Sequence, residues 1–287
     1  MAYLLLLFVT FIWAGNFPAA KYALAVVDPL VLIALRTLVG ALLLLVLGRN
    51  STPAWGAALR EDPRSTFILA LTGVVSSGLL FYWGLRLTTA SNAGIISAST
   101  PIWVTILSWI FVSERFGLIN ICGVFLSFSG LVAIICQGSL TALFSRSFNL
   151  GDLLILTGQL NWAAYTVYGR IVLARRSAIA ATASAYVVGA VLLSPLLFLD
   201  SPIALVQRLS LLDVAAVIYL SVLSPLSNFW YSKALAKVSP HRAAIFMNLM
   251  PIIVLVFSAF VLGERISAVQ MIGTAVVIGG VILTTRF

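Results

Sequence analysis

Residues 99–117 have the sequence STPIWVTILSWIFVSERFG, and residues 249–267 repeat its pattern as LMPIIVLVFSAFVLGERIS. The two stretches align without a gap at an offset of 150, which relates all of residues 81–132 to their counterparts. The matched positions include Pro101 and Pro251, Glu114 and Glu264, Arg115 and Arg265, Gly123 and Gly273, and Gly130 and Gly280. The chain is therefore predicted to be a duplicated unit of about half its length.

Each copy contains apolar segments of about 20 residues, enough to cross a hydrocarbon core of about 30 Å as a helix. With five segments in each copy, the second copy must enter the bilayer in the opposite direction, an arrangement typical of secondary transporters. We predict an all-α polytopic membrane protein with ten transmembrane helices in two inverted five-helix repeats. The predicted spans are residues 3–22, 28–48, 66–86, 92–112, 118–137, 152–173, 178–199, 212–233, 242–262 and 267–285.

The composition also indicates a chain surrounded by lipid. Hydrophobic residues make up 62% of the sequence and charged residues only 9%, whereas soluble domains carry about 25% charged residues. We predict a first repeat over residues 1–137, a connecting loop over 138–151 and a second repeat over 152–287. The connections are too short to hold a soluble domain, so the function is expected to lie within the membrane. The first span lacks a basic n-region, which favours a retained helix over a signal peptide.

Basic residues are distributed unequally between the two ends of the predicted spans. With the N-terminus inside, 11 of the 17 lysines and arginines fall on the cytoplasmic side and 5 on the opposite side. The cytoplasmic set is Arg49, Arg60, Arg64, Arg115, Arg170, Arg175, Arg176, Lys233, Lys237, Arg242 and Arg286, and the opposite set is Lys21, Arg86, Arg146, Arg208 and Arg265. This asymmetry predicts a multi-pass plasma (inner) membrane protein with cytoplasmic termini. The charges form no basic stripe with interleaved aromatics, so the net charge of +9 does not predict a nucleic-acid partner.

Three short motifs accompany the repeat. They are Phe11-Ile12-Trp13-Ala14-Gly15-Asn16-Phe17 in the first span, Leu35-Arg36-Thr37 in the second, and Gly263-Glu264-Arg265-Ile266 at the end of the ninth. Together with the Glu-Arg pair after both the fourth and the ninth spans, they resemble the EamA-type drug/metabolite transporters over essentially the full chain. Ser113 stands where the second repeat has Gly263, a departure that concerns the turn. The resemblance implies a transporter of small metabolites, similar to amino-acid exporters, including those of aromatic amino acids.

Polar and aromatic residues concentrate near the centres of spans one, three, four, six, eight and nine, where they need partners or a water-filled cavity. Trp13 shares a face of span one with Asn16. At an offset of 149 it is the counterpart of Trp162, so the two tryptophans are expected to flank a site on the pseudo-two-fold axis. Packing between helices is the alternative. The predicted substrate-binding residues are Trp13, Asn16, Ser77, Tyr82, Ser97, Ser99, Trp103, Gln159, Trp162, Tyr165, Ser224, Asn228 and Asn248.

Pro101 and Pro251 lie in the middle of spans four and nine and predict hinges, since proline removes a helix hydrogen bond. The carbonyls four residues back, at Ser97 and Met247, could then accept a substrate ammonium or a neighbouring hydroxyl. Spans five and ten instead carry glycines at matched spacing, which suits close helix packing. They are predicted to be a scaffold outside the cavity.

Arg36 is the one basic residue deep inside a predicted span. It could bind a substrate carboxylate, or it could snorkel or bind helix carbonyls. No Asp or Glu falls near the centre of a predicted span, and Glu114 and Glu264 are interpreted as turn elements. Coupled transporters usually place a carboxylate near the substrate, so the sequence favours a facilitator or exchanger.

The sequence contains no glycine-rich phosphate loop, no metal-spaced His/Cys set and no G-x-S-x-G motif. We therefore expect no enzyme activity, no cofactor and no metal. The predicted function is export of small metabolites by alternating access, with amino acids that carry aromatic or apolar side chains as the favoured substrates. Efflux of cationic drugs or other metabolites, and an intramembrane enzyme, are the alternatives. The expected partners are a small-molecule substrate and the lipid bilayer. The oligomeric state stays open, and a monomer is compatible with the sequence.

Overall fold

The computed structural model describes residues 2–50, 55–112, 117–135, 149–199, 207–240, 243 and 246–286. Every regular element in these ranges is helical, which confirms the all-α prediction for this part of the chain. Glu114 and Arg115 of the repeated motif lie outside the described residues.

Fourteen α-helices are found in the described ranges. The first eight are α1 (Ala2–Ala23), α2 (Pro29–Gly48), α3 (Trp55–Glu61), α4 (Pro63–Ala70), α5 (Ser77–Leu87), α6 (Ala90–Ser97), α7 (Thr100–Val112) and α8 (Leu118–Ile135). The other six are α9 (Leu150–Leu173), α10 (Ala178–Leu193), α11 (Leu211–Ile218), α12 (Ser224–Leu235), α13 (Met250–Leu262) and α14 (Ala268–Arg286).

Acidic side chains mark several helix starts. The Asp28 carboxylate accepts a hydrogen bond from Leu30 N at 2.9 Å and Pro29 follows it, so α2 begins with a cap and a residue that needs no donor partner. Asp213 forms a reciprocal capping box with Ser210 at the start of α11. A carboxylate is favourable there because the first N–H groups of a helix are unsatisfied.

Six helical stretches are long and apolar enough to cross a membrane within the described residues. They are Ala2–Ala23, Pro29–Gly48, Pro63–Leu87, Ala90–Phe111, Ala178–Leu199 and Leu211–Leu235. The other predicted spans coincide with helices that are shorter or, like the 24-residue α9, more polar. That all ten cross a bilayer stays a prediction.

Irregular segments interrupt or extend five of the helical stretches. Short π-helical segments, Leu71–Ser76 and Tyr219–Leu223, connect α4 to α5 and α11 to α12. A turn at Ala98–Ser99 separates α6 from α7, and the 3-10 helix Phe246–Leu249 precedes α13. The sequence placed Pro101 and Pro251 inside continuous spans, but each is the second residue of a new helical segment. Another 3-10 helix, Ser194–Leu199, continues α10.

Two central helices, α1 and α9, organise the packing. Helix α1 packs against α12 and α13, whereas α9 packs against α5 and α7. Helix α2 packs against α10, and α8 forms a close pair with α14 at the side of this arrangement. The helices around α1 and α9 leave a cavity between them, which positions the candidate site.

Candidate functional site

The cavity has a volume of about 110 Å³ and is partly open to its surroundings. Its lining residues are Trp13, Asn16, Phe17, Arg36, Gly73, Ser77, Gly78, Phe81, Tyr82, Ser97, Thr100, Gly158, Gln159, Trp162, Ser224, Asn228, Met247 and Met250. Nine of the thirteen predicted substrate-binding residues are in this set, and Arg36 is a tenth predicted site residue in it. That these residues bind a substrate stays a prediction.

Arg36 is the one charged residue of the lining. Its two terminal nitrogens donate to tyrosine hydroxyls, to Tyr82 at 3.4 Å and to Tyr186 at 3.3 Å. Its Nε is buried without a hydrogen-bond partner. Within the described ranges, the two ion pairs are Arg86–Asp28 and Arg176–Asp62, so no described carboxylate neutralises Arg36.

Tyr186 connects Arg36 to helix α12. The Tyr186 hydroxyl accepts from Asn228 Nδ2 at 2.8 Å as well as from Arg36. Because this hydroxyl oxygen already accepts two hydrogen bonds, its own hydrogen remains available to an acceptor. The arrangement is a cluster of donors around a guanidinium, which suits an anionic group.

Trp13 and Trp162 are in direct contact at one end of the cavity. Their rings meet edge to face with centroids 5.2 Å apart, and the Tyr231 ring lies 5.0 Å from Trp13. The indole N–H of Trp13 donates to Ser227 Oγ at 2.9 Å. The sequence predicted that the two tryptophans flank a site, and in the structure they contact each other and both border the cavity.

Amide and hydroxyl groups line the remaining wall. Asn16 Nδ2 donates to Ser224 Oγ at 3.3 Å, while its Oδ1 is enclosed and unpartnered. Thr100 Oγ1 lies 2.6 Å from the carbonyl oxygen of Ser97 and 2.7 Å from Oε1 of Gln159. The Ser97 carbonyl that Pro101 leaves without its helix partner is therefore met by a neighbouring hydroxyl, one of the two outcomes that the sequence left open.

Four of the predicted substrate-binding residues are not among the lining residues given above. Trp103 donates to Ser99 Oγ at 3.2 Å and packs against Phe128 of α8, with centroids 5.2 Å apart, so both face away from the cavity. Tyr165 lies behind the wall, with its ring tilted against that of Trp162 and the centroids 4.8 Å apart. The side chain of Asn248 lies outside the described residues.

Sequence analysis missed several residues of this region. Phe17 and Phe81 lie four residues after Trp13 and Ser77, a spacing that places them on the same helix faces. Tyr186 was identified only through its hydrogen bond with Arg36 in the structure. Met247 and Met250 are apolar, so the polar pattern of the sequence did not indicate them. Only the packing of the helices places them in the cavity lining.

Metal chemistry has no visible basis among the described residues, where no group of three or more His, Cys, Asp or Glu side chains comes together. The fold and the cavity together define a polytopic membrane protein with a small-molecule site between its helices.

Comparisons with known proteins identify the family. The model of the EamA-like transporter family matches residues 1–136 and 149–286. The chain therefore belongs to the EamA-like transporter family and is a membrane transporter of small molecules.

Two relatives and one solved structure illustrate the similarity. A protein of Archaeoglobus fulgidus named "uncharacterized transporter" is 32% identical, with 99% of this chain and 96% of the relative aligned. The "uncharacterized transporter YyaM" of Bacillus subtilis strain 168 is 28% identical over 98% of this chain and 92% of its own. A solved crystal structure matches the fold with a TM-score of 0.71 at 16% identity, covering 99% and 97% of the two chains.

Proposed function

We propose that this protein exports amino acids with aromatic or apolar side chains across the inner membrane by alternating access. The observation that carries the proposal is Arg36, a guanidinium in the cavity wall that is bound by two tyrosine hydroxyls and by no described carboxylate. A charge at this depth is costly unless it is paired. A substrate carboxylate would supply the missing partner.

The aromatic residues of the cavity support the side-chain preference. Trp13, Trp162, Phe17 and Phe81 all line it. Aromatic rings that stack or meet edge to face gain about 0.5–1.5 kcal/mol beyond area burial. An amino acid held by its carboxylate at Arg36 could place an aromatic or aliphatic side chain against these rings.

Two inverted repeats of five spans, residues 1–137 and 152–287 joined by the loop 138–151, form the proposed architecture. The α8–α14 pair supports it. A Cβ added at Gly280 would lie 2.6 Å from Gly123 O, and one added at Gly130 would lie 3.0 Å from Gly273 O. Residue numbers thus rise along α8 as they fall along α14, so these repeat-equivalent helices run antiparallel. Parallel copies would place them in the same direction.

Contacts between repeat-equivalent residues support the same proposal. Counterparts related by a two-fold axis can touch only beside that axis, because their separation grows with distance from it. Trp13 contacts its counterpart Trp162 at the offset of 149, and Ser127 Oγ donates to the carbonyl of its counterpart Val277 at 3.1 Å at the offset of 150. The tryptophan pair borders the cavity, which suits a site at the repeat interface.

Two cations at helix ends also make equivalent contacts in the two proposed repeats. Lys21 Nζ donates to the carbonyls of Leu85 and Thr88 at 2.9 and 2.6 Å. Its counterpart Arg170 donates to the carbonyls of Leu235 and Ala236 at 2.9 and 2.8 Å. In each proposed repeat, a cation at the end of the first span binds the C-terminal carbonyls of the third. We propose that the Lys21 end faces outward and that both termini are cytoplasmic, following the charge asymmetry.

Efflux of cationic drugs is the alternative within transport. A lipophilic cation would favour a carboxylate in the wall, but the cavity lining contains Arg36 and neither Asp nor Glu. The relatives are named transporters, which fits a protein without enzyme activity, and an intramembrane enzyme is the less favoured alternative.

Counterflow in proteoliposomes tests the proposal. Vesicles loaded with unlabelled phenylalanine should accumulate labelled phenylalanine without an ion gradient, and tryptophan and leucine should compete with it. An imposed pH gradient should not concentrate the substrate, because no titratable carboxylate lines the described cavity. Exchange of a lipophilic cation without amino-acid exchange would contradict the proposed substrate class. Accumulation driven by the proton gradient alone would contradict the facilitator or exchanger mechanism.

A further inference from the structure

The cavity lining contains one charged group, so a zwitterionic substrate needs a second recognition site for its ammonium. We propose that Gln159 presents its side-chain carbonyl oxygen to the cavity and binds the ammonium of an amino acid whose carboxylate lies at Arg36. This inference rests on the proposed function and adds a specificity-determining residue to it. It follows from a count of the hydrogens available around Thr100.

Thr100 has two oxygen neighbours and one hydroxyl hydrogen. Its Oγ1 lies 2.6 Å from Ser97 O and 2.7 Å from the end of the Gln159 amide. The Ser97 carbonyl cannot donate, and Pro101 has no N–H to offer it four residues later. The hydroxyl hydrogen therefore belongs to Ser97 O, because a buried carbonyl without a donor is costly.

Gln159 can satisfy Thr100 in only one orientation once that hydrogen is used. Two acceptor oxygens would repel each other at 2.7 Å, whereas an amide NH2 donates well to a hydroxyl oxygen at this distance. The amide is therefore turned by about 180° from the orientation in which Oε1 faces Thr100, an exchange of two atoms in nearly the same positions, so that Nε2 donates to Thr100 and Oε1 faces the cavity. Pro101 and Thr100 therefore fix the orientation of the Gln159 side-chain amide. Of these three residues, only Gln159 would contact the substrate.

Accessibility favours Gln159 over the other amide of the same wall. Asn16 also lines the cavity, but its Oδ1 is enclosed. Gln159 is partly exposed to the cavity.

The position of Gln159 also fits the other parts of an amino acid. Arg36 lies on α2 and Gln159 on α9, and α5 packs against both helices. Trp162 follows Gln159 by three residues on the same helix face. A substrate between these groups can place its carboxylate, ammonium and side chain on different walls.

Competition in the counterflow assay tests the assignment. Unlabelled phenylalanine and 3-phenylpropionate, which lacks only the amino group, compete with labelled phenylalanine. In the wild-type protein, phenylalanine should compete about 10- to 100-fold better, the range for one hydrogen bond to a charged group. In Gln159→Met that ratio should fall to about 3 or less, while 3-phenylpropionate competes as before because it never used the carbonyl oxygen.

Variants of Thr100 test the orientation argument. Thr100→Ser keeps the hydroxyl and should keep the wild-type ratio. Thr100→Val leaves the Gln159 amide free to turn and should lower the ratio several-fold. Asn161→Leu is the matched control, because this amide donates to Thr157 O of its own helix and is not part of the cavity lining.

The outcomes separate the inference from the proposed function. If wild-type vesicles exchange phenylalanine but Gln159→Met keeps the full ratio, the ammonium assignment is wrong and the amino-acid transporter stands. A wild-type ratio near one likewise overturns the assignment. If wild-type vesicles exchange neither compound, the proposed substrate class is wrong, and the assignment that rests on it is wrong as well.

Discussion

The cavity wall and the α8–α14 pair use polar groups and small residues in opposite ways. In the wall, Arg36 Nε and Asn16 Oδ1 are buried without partners, and space remains between the helices. In the pair, glycines bring two backbones together, and Ser127 Oγ donates to Val277 O across the contact. None of the cavity-lining residues belongs to α8 or α14. The wall therefore keeps polar groups that a ligand could use, whereas close backbone contact in the pair holds the helices in place.

This difference predicts two separable kinds of defect. Changes in the wall should alter transport or its selectivity and leave the folded protein intact. Changes in the pair should lower stability through backbone displacement, and transport should decline only with the amount of folded protein.

Replacement of Arg36 should have the largest effect on transport. Arg36→Met removes the cation that the proposed substrate carboxylate would bind. One or two charge-assisted hydrogen bonds to the substrate are then lost. We expect phenylalanine exchange to fall about 100-fold, since each such bond contributes about 1.5–3 kcal/mol. Arg36→Lys keeps the charge without the planar fork and should be intermediate.

Arg86→Gln is the control for Arg36. Arg86 is exposed at the end of α5, where it pairs with Asp28 at 3.3 Å, and a pair of this kind contributes little. Folded protein is measured by gel filtration and exchange by counterflow. Full activity of Arg36→Met would show that the guanidinium only stabilises the helices.

Gly280→Ala should give the largest effect on stability. The added Cβ would lie 2.5 Å from Ser127 N and 2.6 Å from Gly123 O, so backbone atoms must move apart. We expect the free energy of unfolding to fall by about 1–3 kcal/mol. Gly279→Ala is a matched control on the next residue, where an added Cβ meets nothing within 4 Å. Thermal unfolding in detergent compares the two, and equal stability would contradict the close-contact account.

Trp162→Ala should change selectivity more than total transport. The ring borders the cavity and packs against Trp13, Tyr165 and Tyr231. Loss of aromatic stacking worth about 0.5–1.5 kcal/mol should weaken competition by tryptophan or phenylalanine about 2- to 10-fold. Competition by alanine should change less. An equal loss for all amino acids would indicate that Trp162 acts through packing alone.

Asp62 belongs to neither region and should affect stability slightly, and only at higher pH. Hydrogen bonds from Ser65 to its carboxylate, with nearby Arg176, hold the pKa of Asp62 below its usual value of 3.8. A lowered pKa stabilises the folded state above the unfolded pKa, and this contribution is lost as the pH falls through the folded pKa. Asp62→Ala should cost about 1 kcal/mol at pH 7 through the lost cap of α4. The difference from the wild type should shrink below pH 4, whereas exchange at pH 7 should match the wild type.

Much of the fold could be predicted because its cause is local. A run of apolar residues about 20 long, as in α2, must be helical in lipid because no water satisfies its backbone groups. Asp28-Pro29 marks where that helix begins, and the offset of 150 relates the two halves of the chain without any coordinates. The irregular turns at Leu71–Ser76 and Tyr219–Leu223 gave no such signal, since their apolar composition does not differ from that of a regular helix.

The residues that are too polar for lipid, and therefore most of the candidate site, can be read from the sequence. Which of them share a cavity depends on how the helices pack. Trp103 and Trp162 are both mid-span tryptophans, yet one packs against Phe128 and the other borders the cavity. The partners of Arg36 are 46 and 150 residues away along the chain. Helix periodicity states which face a side chain lies on, but the neighbour of that face is set by packing between distant helices.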